Sequence, residues 1–435
     1  MAELHPLAWL LLGIWGSLGL LFLLGSFWFC VVLMVLTLFT GILTAVPVGF
    51  TLKGPQFFAL LGLGAWSIAQ LRRSQGPVFP WAWLWPFGLF ILSILPSFLT
   101  LGGPDTLHEA TLSLRLLLNY LWLQLFLLVL WLAAHSLQRI RQLLLLGFVS
   151  GALSLLFGYG QQVAFYLGYY DPLQFVGRHS SIVDFYGPFL RLAPGTFANE
   201  YGEILQTLGL LLIGWLYLLP PERTRWRGVL LVFFWALVLG LVLNFTRASW
   251  LVFTVGTFVL LSMSGLSWRR LLGVYLSGGV LLALLLYVSQ WVLQASLLLQ
   301  LGRRFQELGR IQTASAGSRL QTWQLAWDAF LQSPWVGQGW GQYVETHNVP
   351  LQLLAETGVL GFVGFYGLMA WCSWRMFSAW RQAPTQDWRG LQLSLLMAFW
   401  GCLAFDLTNH GIAHFVLWYV LGLGLATAWQ ISDSE

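Results

Sequence analysis

The chain has few charged residues, and this scarcity excludes most classes of soluble protein. Asp, Glu, Lys and Arg make up 9% of the 435 residues, whereas a soluble globular domain carries about 25%. Lys53 is the only lysine, and the arginines are scattered among connecting segments. Since no run of basic residues could follow a phosphate backbone, the net charge of +5 does not indicate nucleic-acid binding.

The chain also lacks motifs for common metal and nucleophile chemistry. Cys30, Cys372 and Cys402 lie far apart in apolar stretches, which favours buried thiols over a metal site. There is no Gly-x-Ser-x-Gly turn, and the long polar segments have no Asp-x-Asp pair for a metal-bound nucleotide sugar. The glycine-rich segment 337–341 follows no strand and precedes no phosphate-binding lysine, which excludes a nucleotide loop. We expect neither a metal nor a cofactor.

Long apolar runs take the place of charge. Hydrophobic residues make up 58% of the chain, and its mean hydropathy is +0.74. The runs are rich in Leu and do not alternate with polar residues, which indicates transmembrane helices and not strands. We predict an all-α, polytopic membrane protein in which residues 1–435 form a single membrane domain. Its candidate spans are 7–25, 27–47, 56–71, 82–100, 112–134, 143–167, 200–219, 228–246, 249–266, 271–293, 351–378, 391–408 and 411–430.

Arginines in alternate connections predict the orientation of these spans. The positive-inside rule places the clusters near residues 72, 140, 225, 270 and 381 in the cytoplasm. Two of the opposite connections, 168–199 and 294–350, are longer than ordinary loops. We predict that both are periplasmic and that 294–350 is the main catalytic loop. Two full spans within 7–47 conflict with this orientation, so we predict about 12 spans with both ends inside. The first apolar stretch follows no basic residues and is expected to be a retained helix.

His347 is the candidate catalytic residue because a predicted helix begins directly after it. Asn348 can cap that helix, and Pro350 suits its first turn. The positive end of a helix favours anions and resists protonation of an imidazole. A neutral histidine there could act as general base in a transfer from a phosphate-linked donor. The alternative is a histidine that hydrogen-bonds at the membrane interface.

Arg247 and Arg319 are the candidate phosphate-binding residues. Arg247 interrupts an apolar run at the predicted outer boundary, where a charge is costly and a guanidinium can hold phosphate oxygens with its planar fork. Arg319 opens the amphipathic stretch 320–331, which could lie on a membrane surface or pack inward. The alternatives are a snorkelling arginine at a helix end and a solvated loop arginine.

Several other polar residues have both a functional and a structural interpretation. The basic group Arg303, Arg304 and Arg310 is predicted to contact substrate, with solvent or lipid headgroups as the alternative. Glu356, in the helix after His347, is included among the substrate-binding candidates; it could orient a polar partner or pair with an arginine across the bundle. Asn199 and Glu200 start a helix and could cap it. The group Asp406, Asn409, His410 and His414 is interpreted as a hydrogen-bond network. Three glycines, Gly361, Gly364 and Gly367, are predicted to permit close helix packing.

Three segments resemble a known family. The residues from Ser318-Arg319 through Trp323, Ala326, Pro334, Gly337 and Gly339 to His347-Asn348, Leu351, Glu356, Gly358 and Gly361 resemble the signature of the bacterial O-antigen ligase/polymerase family. Residues 246–249 resemble a second motif of that family, and residues 195–200 a third. The sequence departs from the pattern at Phe245-Thr246, where a Gly-Ser pair is more usual. The resemblance covers about residues 190–370.

This resemblance implies a GT-C-type, metal-independent glycosyltransferase of the bacterial inner membrane with its active site facing the periplasm. Such enzymes move a glycan from undecaprenyl pyrophosphate to a glycolipid or glycan acceptor, such as the lipid A–core of lipopolysaccharide. Carried over by position, Arg247 and Arg319 bind the pyrophosphate and His347 activates the acceptor hydroxyl.

Three activities remain open. A ligase and a polymerase of O-antigen or exopolysaccharide share the donor and differ in the acceptor. Polymerases of the family that the chain resembles often have basic motifs in both outer loops. Because the first long loop here has only Arg178 and Arg191, the resemblance favours a ligase. A transporter of a small solute or anion would need charges at mid-membrane and, commonly, inverted repeats, but the charges here concentrate at the predicted outer rim.

Overall fold

The computed structural model describes residues 27–39, 46–47, 51–52, 54–71, 81–101, 106–169, 185–186, 189–194, 197–218, 224–293, 297–306, 314–343, 346–409, 412 and 414–432. Over these ranges the chain forms fourteen α-helices, one 3-10 helix at Leu95–Thr100 and two pairs of two-residue strands. The all-α prediction is therefore confirmed. The predicted span at 7–25 lies outside the described residues.

The elements follow one another in a simple order. The helices are α1 (Phe27–Leu36), α2 (Gly54–Leu71), α3 (Trp81–Ile94), α4 (Thr106–Ala133), α5 (Leu137–Tyr166), α6 (Ala198–Leu218), α7 (Thr224–Leu243), α8 (Arg247–Met263), α9 (Trp268–Leu293), α10 (Leu297–Gln306), α11 (Ala314–Gln332), α12 (Val349–Gln382), α13 (Gln386–Asp406) and α14 (Phe415–Ser432). The antiparallel strand pairs are β1 (Val46–Pro47) with β2 (Thr51–Leu52), and β3 (Phe185–Tyr186) with β4 (Phe189–Leu190).

Several of these helices suit a membrane. By length and composition, five described helices can cross one: Ala110–Ala133, Leu137–Tyr166, Trp268–Val288, Val349–Gln382 and Phe415–Ser432. Four shorter apolar helices accompany them, at Phe27–Leu36, Trp85–Thr100, Arg227–Leu243 and Arg247–Met263. The membrane class is thus supported, while the total of about 12 spans stays a prediction.

The core lies between α6, α13 and α14, which are buried along most of their lengths. Small residues allow these helices to approach closely: a Cβ at Gly214 of α6 would overlap Ser394 of α13. By contrast, α9 exposes nearly its whole surface. The interior helices are therefore held by protein contacts, and α9 lies at the periphery.

The close packing predicted for the glycines of α12 is supported at Gly364, whereas Gly367 has no close neighbour among the described residues. A Cβ at Gly364 would overlap Ser93 of α3, so Gly364 does permit a close helix contact. A Cβ at Gly367 would meet no heavy atom of the described residues within 4 Å. A helix face with open space beside it needs no glycine for packing.

The predicted catalytic loop 294–350 contains helical structure. It includes α10 and α11, and α11 extends the amphipathic stretch 320–331 toward its N-terminus. One face of α11 is buried through Ala326 and Ala329, which pack with Ala355 of α12. Leu320, Trp327 and Leu331 are exposed and lie on one side of the helix, since positions i, i+7 and i+11 align. The helix thus packs inward with one face and presents apolar side chains outward with another.

Candidate functional site

Arg319 and the residues beside His347 meet at the end of α13. The Arg319 Nη1 atom donates a hydrogen bond of 3.2 Å to the Thr408 carbonyl. The Asn348 Nδ2 atom donates one of 2.9 Å to the Leu407 carbonyl. Because these two carbonyls belong to consecutive residues, the start of α12 and the first part of α11 lie side by side there.

His347 directly precedes a capped helix, as the sequence predicts. The Asn348 Oδ1 atom accepts a hydrogen bond of 2.9 Å from the Leu351 amide, and Pro350 lies in the first turn. His347 itself is half-buried and has a φ of 51°. A positive φ is uncommon in a residue other than glycine, and such conformations persist where the surroundings enforce them.

The turn before His347 is tied to α11 and α12. The Thr346 amide donates to the Tyr343 carbonyl at 3.1 Å. The Trp323 Nε1 atom of α11 donates to the Thr346 carbonyl at 2.8 Å. Glu356 of α12 is fully buried, and its Oε1 atom accepts from the Tyr343 amide at 2.9 Å and from Gln352 Nε2 at 3.1 Å. The backbone leading to His347 is therefore held from two helices.

Helix α12 is broken at Gly358, and the segment 334–339 fills the break. Gly358 has φ 62° and ψ −161°, which are not helical. The amides of Val359 and Leu360 donate to the carbonyls of Pro334 and Trp335, at 2.8 and 3.3 Å. In return, the amides of Gln338 and Gly339 donate to the carbonyls of Ala355 and Glu356, at 2.8 and 3.1 Å. The backbone groups freed by the break are thus satisfied by protein, as an apolar environment requires.

The glycines of segment 337–341 serve this insertion. Gly337, Gly339 and Gly341 all have positive φ values. A Cβ at Gly337 would overlap the backbone of Glu356 and Thr357, and a Cβ at Gly358 would overlap the backbone of Trp335. Glycine is required here for conformation and close approach, which agrees with the exclusion of a nucleotide loop.

Arg247 begins α8, directly after a strained turn. It is half-buried and engaged within the protein. Phe245 is fully buried with a φ of 59°. This is the position at which the related motif usually has glycine, and glycine adopts a positive φ without strain. At this position the backbone has a conformation that suits glycine, but the chain has Phe245, whose side chain is buried in the core.

Arg191 organises the segment around Arg247, and sequence reasoning missed this role. Its Nε atom donates to the Asn244 carbonyl at 2.7 Å, and its Nη2 atom donates to Thr246 Oγ1 at 2.7 Å and to Asn199 Oδ1 at 3.4 Å. The Asn244 Nδ2 atom in turn donates to the Ala198 carbonyl at 2.8 Å. Arg191 thereby ties the start of α8 to the start of α6. Arg191 is one of only two arginines in the first long loop, and this scarcity was the feature of the sequence that could have indicated its role.

A buried pair joins α6 to the connection before α14. His414 Nδ1 bonds Glu203 Oε2, and both residues are buried. Burial is the largest single influence on the pKa of His414 and lowers it, but the carboxylates of Glu203, Glu200 and Asp406 together raise this pKa to about 9. Asp406 and Asn409 are also buried, and the hydrogen-bond network among Asp406, Asn409, His410 and His414 stays a prediction; His410 lies outside the described residues. Glu203, in the interior of an apolar helix, was not predicted.

Arg303 is exposed on α10. The side chain of Arg304 and the whole of Arg310 lie outside the described residues. The structure therefore places Arg319 beside the His347–Asn348 turn, and Glu356 bonds the segment before that turn. The substrate contact predicted for Arg303, Arg304 and Arg310 stays a prediction.

These contacts define one end of the bundle, called here the site end: the end at which α6, α8 and α12 begin and α13 ends. Thr246 Oγ1 lies 3.3 Å from the Ala198 carbonyl, Glu203 reaches His414, and Asn348 reaches Leu407. Three helix N-termini and the arginines at positions 191, 247 and 319 are located there. Since helix N-termini carry partial positive charge and C-termini partial negative charge, an anion is favoured beside the starts of α6, α8 and α12 and not beside the end of α13.

Comparisons with known proteins extend these observations. No curated protein matches the chain. A chain from a peptidoglycan synthase complex, solved in work on the coordination of polymerization and crosslinking, aligns with a TM-score of 0.42 at 19% identity, over 81% of this chain and 98% of that chain. The family model described as O-antigen ligase matches residues 231–366, which include Arg247, Arg319, His347 and Glu356. This match confirms the resemblance of the chain to the O-antigen ligase family.

Proposed function

We propose that this protein is a glycosyltransferase of the O-antigen ligase type, which moves a glycan from undecaprenyl pyrophosphate to an acceptor at the periplasmic face of the bacterial inner membrane. The observation that carries the proposal is the meeting of Arg319 with the His347–Asn348 turn at the end of α13, inside the segment that matches the family.

The diphosphate of the donor binds at the site end. Arg247 and Arg319 contact its oxygens, and the N-termini of α8 and α12 add partial positive charge. A charged hydrogen bond of this kind contributes about 1.5–3 kcal/mol. Arg303, Arg304 and Arg310 contact the donor or lipid headgroups beside it. The isoprenoid extends into the surrounding lipid.

The chemistry is a single displacement with His347 as general base. The imidazole takes the proton of the acceptor hydroxyl as the acceptor oxygen attacks the anomeric carbon. The bond from that carbon to the pyrophosphate oxygen breaks, and undecaprenyl pyrophosphate leaves with the electron pair. Arg247 and Arg319 neutralise the charge that develops on the leaving group, so this step uses no metal and no cofactor. His347 then releases its proton to water.

The acceptor is lipid A–core or a similar glycolipid. A second undecaprenyl-linked glycan would make the protein a polymerase, with the same donor site and base. The acceptor that supports turnover therefore distinguishes these two activities.

Purified protein given undecaprenyl-pyrophosphate glycan and each acceptor tests the proposal. His347→Ala should lose about 10²–10⁴ in rate and keep donor binding, and the wild-type rate should rise with pH as the imidazole deprotonates. Arg319→Ala should weaken donor binding about tenfold to hundredfold, and Arg319→Lys should recover part of it. Asp328→Ala, at an exposed position of α11, is the control and should behave as wild type.

Two results would contradict the proposal. One is donor affinity that falls above neutral pH together with a His347→Ala defect confined to binding, which would make His347 a cationic ligand. The other is no product with any acceptor, combined with solute uptake by reconstituted protein that His347→Ala and Arg247→Ala leave unchanged, which would indicate a transporter.

A further inference from the structure

Glu356 holds both ends of the turn segment that leads to His347. Its backbone carbonyl accepts from the Gly339 amide at 3.1 Å, and its side-chain Oε1 atom accepts from the Tyr343 amide at 2.9 Å. One buried residue of α12, two residues before the break at Gly358, therefore holds the segment at Gly339 and at Tyr343.

The contact with Tyr343 continues to His347. The Tyr343 carbonyl accepts from the Thr346 amide at 3.1 Å and from Thr346 Oγ1 at 2.5 Å. Thr346 is buried and directly precedes His347, whose φ is 51°. A left-handed conformation in a non-glycine residue is kept only where its neighbours over-determine it. The chain of hydrogen bonds from Glu356 supplies that constraint on the N-terminal side of the imidazole.

Gln352 directs the carboxylate toward the turn. Its Nε2 atom donates to the same Oε1 atom of Glu356 at 3.1 Å, from one turn earlier in α12. Among the described residues, the Oε2 atom of Glu356 has no hydrogen-bond partner. The bonds from the Tyr343 amide and from Gln352 thus converge on one oxygen, which an amide oxygen could replace.

We propose that Glu356 is a positioning residue for His347: it fixes the segment from Gly339 to Tyr343 against the break in α12 and so sets the place of the base, without touching the substrate. The kinetic part of this inference rests on the proposed function, whereas its structural part does not. A positioning role differs from substrate binding in one respect that can be measured, because positioning needs an acceptor oxygen and substrate recognition through charge needs a carboxylate.

Three variants separate these roles. Glu356→Gln keeps an acceptor oxygen and removes the charge, and Glu356→Ala removes both. Asp328→Ala removes an exposed carboxylate of α11 that accepts from Gln324 at 3.0 Å and is the matched control. Should Glu356→Ala not fold, Glu356→Asp takes its place, since its carboxylate is one methylene shorter.

Amide hydrogen exchange of residues 338–346 is measured for each variant, with donor binding and turnover beside it. Glu356→Ala should speed exchange in this segment and lower turnover about 10²-fold, as expected for a displaced catalytic group, with donor binding unchanged. Glu356→Gln should stay within about tenfold of wild type. In a His347→Ala background, Glu356→Ala should add no further loss of turnover.

Other outcomes overturn the inference. Unchanged exchange in Glu356→Ala removes the structural link, whatever the turnover. A Glu356→Gln variant as defective as Glu356→Ala and weaker in donor binding makes Glu356 a substrate ligand. Additive losses in the double variant make it independent of His347. If the wild type transfers no glycan, the proposed function fails, while the exchange measurement still decides whether Glu356 holds the turn.

Discussion

Gly337→Ala tests the insertion of segment 334–339 into α12 with a single methyl group. Gly337 has a φ of 70°, and a Cβ there would overlap the carbonyl carbon of Glu356 and the amide nitrogen of Thr357. Both are backbone atoms of a helix, so they cannot swing aside as the tip of a side chain can. The segment must therefore move away from the break.

The expected cost combines two effects. Alanine in the left-handed region costs about 1–2 kcal/mol, and overpacking a close contact costs about 1–3 kcal/mol. Relaxation would exchange the second cost for weakened hydrogen bonds from Gln338 to Ala355 and from Gly339 to Glu356, each contributing about 0.5–1.5 kcal/mol. We expect a loss of about 2–5 kcal/mol in the free energy of unfolding of this region.

Gly367→Ala is the matched control, because Gly367 lies in the same helix and a Cβ there would have no heavy atom within 4 Å in the part of the chain that the structure describes. Alanine there should stabilise the helix by about 0.5–1 kcal/mol. Thermal unfolding in detergent and amide exchange across residues 334–360 compare the two variants. Equal stability of Gly337→Ala and Gly367→Ala, with unchanged exchange in both, would refute the insertion.

Four further predictions concern the site end and the orientation. Phe245→Gly should destabilise the protein by about 1–4 kcal/mol in thermal unfolding, because the lost buried ring outweighs the relieved strain; greater stability would contradict this. Arg191→Ala should weaken donor binding measured by calorimetry, and Arg191→Lys should not restore it, since the Nε and Nη2 bonds need a guanidinium; unchanged affinity would show that Arg191 does not order Arg247. Protonated His414 should stabilise the fold fully below its ordinary pKa of 6.5, and this stabilisation should be lost as pH rises through about 9. The midpoint of thermal unfolding should therefore fall over this pH range in the wild type and not in His414→Gln. An equal fall in both proteins would exclude the His414–Glu203 pair as its source. Gln312→Cys should react with an impermeant thiol reagent in intact spheroplasts, and reaction only after lysis would reverse the orientation.

Local signals predicted the helices and the start of α12. The apolar stretch 200–219 corresponds to α6 at Ala198–Leu218, and Asn348 caps α12 as its sequence suggests. These features depend on residues that are only a few positions apart, so they can be predicted from a single sequence. The α10 helix was not predicted, because ten amphipathic residues within a long polar segment resemble a loop.

The missed site residues have partners far away in the sequence. Arg191 bonds Thr246, and Glu203 bonds His414 across more than two hundred positions. Neither partner can be chosen from spacing or hydropathy, since only the packing of α6 against its neighbours brings them together. The same holds for Gly337 and Gly358, because a Cβ at Gly337 would overlap the backbone of Glu356 and Thr357, and a Cβ at Gly358 would overlap the backbone of Trp335.

The two halves of the site end are built in the same way. Among the described residues, Phe245 and His347 are the non-glycine residues with positive φ, and each costs about 1–3 kcal/mol of strain. Phe245 lies two residues before Arg247 in a segment bonded by Arg191, and His347 follows the turn bonded by Glu356. In each half, one charged side chain bonds the backbone of a strained segment: Arg191 in the first half and Glu356 in the second. Each segment leads to a residue proposed for the chemistry. Under the proposed function, strain kept in this way fixes the proposed diphosphate site and the proposed base before substrate arrives, so catalysis need not reorganise them. Variants of Arg191 and Glu356 should therefore affect different steps, the first donor binding and the second turnover.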